Sequence, residues 1–216
     1  MVAKNLATIN DSILVQPGNS LSIYSQRGIL AKATVAEHFP VQIGIYSLST
    51  FLGVVALFKE PEFDFQDSFV RIYDSTRDAT VRYLYTAPSC IHPKLPKTLR
   101  PIPPETIEFD LLEEKWAAIQ KAAAVLGKNE IRIRADVDGI AITTYDHKNP
   151  NGHEFSSHMR TGVQRYRCNI VIQIENLTLL KGSYHVTVTP AYTMFVNQSG
   201  YRVGYWVGCD PASTFE

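Results

Sequence analysis

An excess of charge of either sign is missing from this sequence. Its 216 residues carry 21 Lys plus Arg against 21 Asp plus Glu, so the whole chain offers polyanions no attractive field. A nucleic-acid role would need basic residues segregated locally. Cysteine is scarce: Cys90, Cys168 and Cys209 are odd in number, far apart and in no C-x-x-C arrangement. That excludes a disulfide framework and a zinc ribbon and fits a reducing cytoplasm. No run approaches the ~18 apolar residues of a membrane span, and Met1-Val2-Ala3-Lys4-Asn5 opens without the apolar segment of a secretory leader. The expectation is a soluble cytoplasmic protein with no membrane partner. Catalytic signatures are missing as well, with no G-x-S-x-G, H-E-x-x-H, Walker loop or G-x-G-x-x-G. His147, His153 and His158 share a polar stretch with Asp146 and Glu154, but at no established ligand spacing, so no metal or other cofactor is expected. Cys168, beside Arg167 and Asn169 in a strand-like run, reads as a structural thiol. The chain is therefore expected not to be an enzyme.

What is present is a folding composition, 45% hydrophobic and 19% charged, with 11 Tyr and 10 Phe. Strand-like segments dominate the first half: Ile13 to Gln16, Leu21 to Ser25, Ile29 to Ala36, Val41 to Tyr46, Phe69 to Tyr73 and Thr80 to Tyr85. Pro17-Gly18-Asn19 and Gln26-Arg27-Gly28 read as hairpin turns. Ser47 to Phe58 reads as a short helix with Leu48, Phe51, Leu52 and Val55 on one face. The acidic run Glu60-Pro61-Glu62-Phe63-Asp64-Phe65-Gln66-Asp67 reads as a solvated loop or an acidic outer edge.

Residues 86–104 are dense in proline (Pro88, Pro93, Pro96, Pro101, Pro103, Pro104) and carry Lys94, Lys97 and Arg100, which predicts an ordered linker. This places the domains at 1–102 and 103–216. The second half opens with a strand at Thr106 to Asp110. The strongest helix follows, Leu111 to Leu126, with a stripe of Leu112, Trp116, Ile119, Ala123 and Leu126 closed by Gly127. Strands are expected at Glu130 to Ala135 and Ile140 to Tyr145, then a polar loop from His147 to Thr161 and a strand from Gln164 to Ile174. A short helix from Glu175 to Leu180 and a closing meander of Tyr184 to Thr189, Tyr192 to Asn197 and Tyr201 to Gly208 complete the chain. The two halves follow one element order. The expected class is α+β, two similar domains, each an antiparallel sheet with helices on one face.

Along most of its length the chain resembles the sliding clamps of T-even-like phages. The resemblance is carried by Asn5-Leu6-Ala7-Thr8-Ile9-Asn10 with Ile13-Leu14, and by Ile45-Tyr46-Ser47-Leu48 with Phe51-Leu52-Gly53. Pro101-Ile102-Pro103 ahead of the long helix adds to it, as does the ending Tyr205-Trp206-Val207-Gly208 with Asp210, Ser213, Thr214 and Phe215. It implies a homotrimeric ring of six similar domains whose helices line a hole for duplex DNA. It also implies that a clamp loader opens the ring with ATP, that the replicative DNA polymerase binds it through a peptide tail, and that late-transcription factors are further partners.

Such a ring needs weak, sequence-independent attraction to phosphates, which a few lysines supply. The candidate DNA-facing residues are Lys4, Lys115, Lys121 and Lys128. Lysines on a polar helix face are usually just solvated, and Glu113 and Glu114 would oppose phosphate nearby. Candidates for an apolar partner-peptide pocket are Tyr85, Ile91, Leu95 and Leu99, whose plainer role is packing the linker. Two rival readings are a β-rich phage structural or assembly protein without a DNA-dependent role and a carbohydrate-active β-protein. The second lacks any paired-carboxylate pattern.

Overall fold

The computed structural model describes residues 1–96, 101–149, 151–159 and 164–216. The chain divides into two compact units, Met1–Gln26 with Leu30–Pro96 and Arg27–Ile29 with Lys97–Glu216.

The first unit runs α1 (Val2–Ile9), β1 (Ile13–Val15), β2 (Gly18–Tyr24), β3 (Ile29–Phe39), β4 (Ile43–Ile45), α2 (Leu48–Val55), β5 (Glu62–Phe65), β6 (Phe69–Tyr73) and β7 (Thr80–Leu84). The expected hairpin at Pro17-Gly18-Asn19 does not form. β1 pairs instead with β4, because that register sets buried Ile13 and Val15 against buried Ile45 and Ile43. The second expected turn does close a hairpin, with Tyr24 opposite Leu30 and Gly28 at φ +77°. α2 is capped by the Ser47 hydroxyl, which accepts from Thr50 N at 3.2 Å. Asp11 adds its carbonyl to Leu48 N at 2.6 Å and its carboxylate to Ser49 N at 2.7 Å. Burial pushes the Asp11 carboxyl up, but the hydrogen bonds from Ser49 and Ser47 outweigh it and hold the group below its ordinary value. α1 packs on α2 through its buried residues Leu6 and Ile9.

The acidic run, read as a solvated loop or an acidic outer edge, contains the edge strand β5. In the antiparallel sheet β5-β6-β7, Phe63 faces Ile72 and Phe65 faces Val70, both fully buried partners. Glu62 and Asp64 alternate onto the other face, so the period-two signal was present beneath the charge.

The second unit runs β8 (Ile107–Leu111), α3 (Glu113–Leu126), β9 (Glu130–Asp136), β10 (Gly139–Tyr145), β11 (Ser156–Met159), β12 (Cys168–Gln173), a 3-10 turn (Ile174–Asn176), β13 (Tyr184–Val188), β14 (Tyr192–Asn197), β15 (Val203–Gly208) and β16 (Thr214–Phe215). One sheet has the order β11-β10-β9-β12-β16, and β15-β14-β13-β8 are neighbours in a second. Trp116, Ile119 and Ala123 form the buried stripe of α3, which packs on β10. Leu112 is not part of that stripe; it is the N-cap, 45% exposed. Gly127 ends the helix at φ 62°, and Lys128 N reaches Ala123 O at 2.8 Å.

Two further expectations are corrected. The polar stretch His147 to Thr161 contains β11, an edge strand that buries Met159 and therefore shows almost no hydrophobic pattern. The helix expected at Glu175 to Leu180 shrinks to the 3-10 turn. The backbone of Leu180 is satisfied by tyrosines instead of helical bonds, its N donating to the Tyr205 oxygen at 3.3 Å and its carbonyl accepting from the Tyr184 hydroxyl. The two units share part of a pairing plan, although β9 also pairs with β10 where β1 and β2 stay unpaired. β1 pairs with β4 as β9 pairs with β12, β2 with β3 as β10 with β11, and β5-β6-β7 corresponds to β13-β14-β15.

Trp116→Ala should cost about 3–5 kcal/mol of stability, as expected for an emptied aromatic site in a packed core. Leu112→Ala should cost under about 0.5 kcal/mol. Denaturant titrations of the two variants check the pair, and equal losses would contradict the placement of the helix start.

Candidate functional site

The candidate lysines fall into two kinds. Lys4 is exposed on α1, on the side away from Leu6 and Ile9, and Lys121 is exposed on α3, away from Trp116 and Ile119. Lys115 is only half exposed, and its ammonium donates to the carbonyl of His158 on β11. The side chain of Lys128 is 8% exposed, with Nζ 3.8 Å from Asp146 Oδ2. A Cβ at Gly152 would begin 2.9 Å from Asn149 Nδ2 and 3.0 Å from that ammonium, so the loop lies close over Lys128.

Beside this ion pair, Glu130 is buried at 4% exposure and accepts from three donors: His147 N at 3.1 Å, His147 Nδ1 at 2.7 Å and Gln173 Nε2 at 2.6 Å. The carboxylate pins the start of the polar loop to β9 and β12. Among the described residues no group of three His, Cys, Asp or Glu is placed to hold a metal ion; His153 and His158 are exposed.

The exposed face of α3 is otherwise nearly uncharged beyond its first turn. Ala117, Ala118, Gln120, Ala124 and Val125 surround Lys121, with Glu113 and Glu114 confined to the N-terminus, where the helix dipole favours them. Lys59, exposed just past α2, is a further cation that the sequence reading did not include.

Of the pocket candidates, Ile91 is buried at 6% exposure, closing the linker onto the first unit, and Leu95 is 38% exposed. Tyr85 is half-buried, its hydroxyl enclosed with no hydrogen-bond partner among the described residues. Burial, and secondarily the Asp64 charge, push that phenol above its ordinary value. Leu99 lies outside the described residues, as do Lys97 and Arg100. Gly44 anchors the linker from below. Its carbonyl accepts Thr86 N at 2.8 Å, and a Cβ there would meet Thr86 O at 2.0 Å.

No family model matches the sequence. The sliding clamp of Vibrio phage KVP40 is 27% identical over 197 residues, covering 88% of this chain and 87% of that protein. The chain is thus similar to a phage sliding clamp over most of its length.

Solved clamp structures agree in fold. The PCNA2–PCNA3 complex of Sulfolobus tokodaii matches with TM-score 0.67 at 9% identity, over 96% of this chain and 94% of that one. A Helicobacter pylori beta clamp bound to a DNA ligase peptide matches with TM-score 0.67 at 14% identity, over 97% of this chain and 62% of that one. Within the clamp fold, the two thiols of the second unit are inert. Burial pushes Cys168 and Cys209 each up to about 11, whereas Cys90 is exposed on the linker side. Because the thiolate is the reactive form, alkylation of the native protein at pH 8 should modify Cys90 alone. Cys168 and Cys209 should react only above about pH 10 or on unfolding. Mass spectrometry of iodoacetamide-treated protein checks this, and rapid labelling of Cys168 at pH 8 would contradict its burial.

Proposed function

We propose that this protein is a replicative sliding clamp, a ring that encircles duplex DNA and tethers the replicative DNA polymerase so that synthesis is processive. The observation that carries the reading is the match to a phage sliding clamp over 88% of the chain. The partly repeated strand pairing of the two units supports it, since a ring of repeated domains needs such equivalence. The rival reading as a structural or assembly protein has no comparable support.

Holding DNA without stopping it requires phosphate attraction weak enough to break at each step. Lys4 and Lys121 are the free cations on helix faces, and α3 surrounds Lys121 with small, uncharged side chains. We assign these two to DNA. Lys115 and Lys128 then serve mainly to hold the β11 strand and the polar loop, contributing to the field at longer range.

The clamp is read as a non-catalytic scaffold, opened and loaded by an ATP-dependent loader in the host cytoplasm. Among the described residues no helix is long and apolar enough to cross a membrane. A homotrimer would close by edge-strand pairing. β5 and β8 carry outward acids (Glu62 and Asp64, Glu108 and Asp110) that discourage such pairing, whereas β7 ends in Leu84, 63% exposed, and β11 is an open edge. The peptide tail of the polymerase, and by the same mode late-transcription factors, is assigned to the linker side near Tyr85, Ile91 and Leu95. The beta clamp of H. pylori offers a parallel in its bound ligase peptide.

Two measurements test the reading. Sedimentation should give the mass of three chains; a monomer at working concentration would contradict it. The double variant Lys4→Glu with Lys121→Glu should keep that mass but lose polymerase stimulation on primed circular DNA as salt is raised. Each lost phosphate contact should lower the slope of log affinity against log salt by about 0.9. Unchanged stimulation at every salt concentration would remove these lysines from the DNA surface.

A further inference from the structure

A cleft of about 340 Å³ lies in the second unit, between β9, β12 and β16, and nothing in the clamp reading uses it. Its walls carry three guanidinium groups, from Arg132, Arg134 and Arg167, against the carboxylates of Asp136 and Glu216. The pleat explains the clustering. Ile131, Ile133 and Ala135 point into the core at no more than 1% exposure, so Arg132, Arg134 and Asp136 must share the opposite face. The apolar stripe of α3 packs on the same sheet through β10, on the core side. The arginine face therefore looks away from the helix surface assigned to DNA.

The arginines are held in place by their surroundings. Arg132 stacks over the Tyr145 ring at 4.6 Å and reaches Glu154 at 3.4 Å, while its Nε is buried with no hydrogen-bond partner among the described residues. Arg134 Nε is 3.0 Å from Asp136 Oδ2. Arg167 is fixed by its backbone, whose N and O each pair with Glu216 at 2.8 Å. Each guanidinium has five N–H donors in a rigid fork. Among the described residues, the single ion pairs made by Arg132 and Arg134 leave most of their donors without a partner.

We propose that this cleft captures an extended acidic peptide of a partner protein, with carboxylates on alternate residues. Resting on the clamp reading only in giving the α3 side to DNA, the assignment follows from spacing. Arg132 and Arg134 are two residues apart on one strand, about 6.6–6.8 Å, which is also the repeat of same-face side chains on an extended peptide. Carboxylates at that repeat meet successive forks in bidentate pairs. β16, two residues long, is the outermost strand beside the cleft, so its free edge offers main-chain donors and acceptors to an added strand. Asn169 and Thr214, opposite each other in register on β12 and β16, add polar contacts within the cleft. Single-stranded nucleic acid would need open aromatic faces on which to stack. Here Tyr145 is covered by Arg132, and Tyr166 contacts the Phe215 ring at 5.8 Å and the Arg165 guanidinium at 5.6 Å.

The test is fluorescence anisotropy on the intact clamp with a labelled peptide of alternating Glu and Ser, using its alternating Lys and Ser counterpart as control. The Glu peptide should bind, weaken with salt, and lose about tenfold or more in affinity in Arg134→Ala with Arg167→Ala. Arg167→Glu alone, at an exposed position, should also weaken it, whereas Lys121→Ala should leave it unchanged. No binding of the Glu peptide, or wild-type affinity in both arginine variants, would overturn the proposal. So would an oligothymidylate whose binding, instead of the peptide's, is abolished by the same variants. Retention of the double variant on circular DNA is read in parallel. If the wild-type protein itself is not retained, the clamp reading falls, while the peptide result still decides the cleft.

Discussion

The sheet of β9, β10 and β12 has one face that water must not reach, and α3 packs on it through β10. In the second unit Ile131, Ile133, Ile142, Ile170 and Ile172 are all at most 1% exposed, with Trp116 and Ile119 of α3 buried alongside them. A helix committed to the core on one side has only its other side to offer to a partner. The exposed face of α3 is thus set by packing before any contact with DNA is considered. What remains there is small and mostly uncharged. Covering the core therefore yields both the rigidity of the unit and the smooth surface that a sliding contact requires.

The same alternation that turns isoleucine inward on β9 turns arginine outward, so one strand separates two electrostatic surfaces. The helix face carries isolated lysines suited to transient phosphate contact. The strand face carries preset guanidinium forks suited to directed carboxylate recognition. A chain with no net charge acquires both through local segregation. A uniform basic excess would have blurred the distinction and made DNA adhere to every face.

Much of this was legible in the sequence where pattern and packing coincide. The long helix announced itself through Trp116, Ile119 and Ala123 at helical spacing and through Gly127, and strands β9 and β10 through isoleucine alternation. Elements at sheet edges were not legible. β5 hides its alternating Phe63 and Phe65 among acids, and β11 buries only Met159 of its apolar side chains, so neither carries the hydrophobic signal that burial creates. The lysines show the same limit at the site. Sequence could put Lys115 and Lys128 on or beside the helix but could not see that His158 and Asp146, distant in the chain, claim their ammonium groups. Helical spacing locates a side chain on a face, whereas its freedom depends on loops whose path the sequence does not encode locally.

Under the proposed function DNA would be held by topological enclosure, with the lysines only easing its passage. The most direct measurement loads the protein with a phage clamp loader and ATP onto nicked circular duplex, isolates the complex, and then linearises the DNA with a restriction enzyme. Enclosure predicts stable retention on the circle and loss through the free ends after cutting. Equal retention on circular and linear DNA would contradict it.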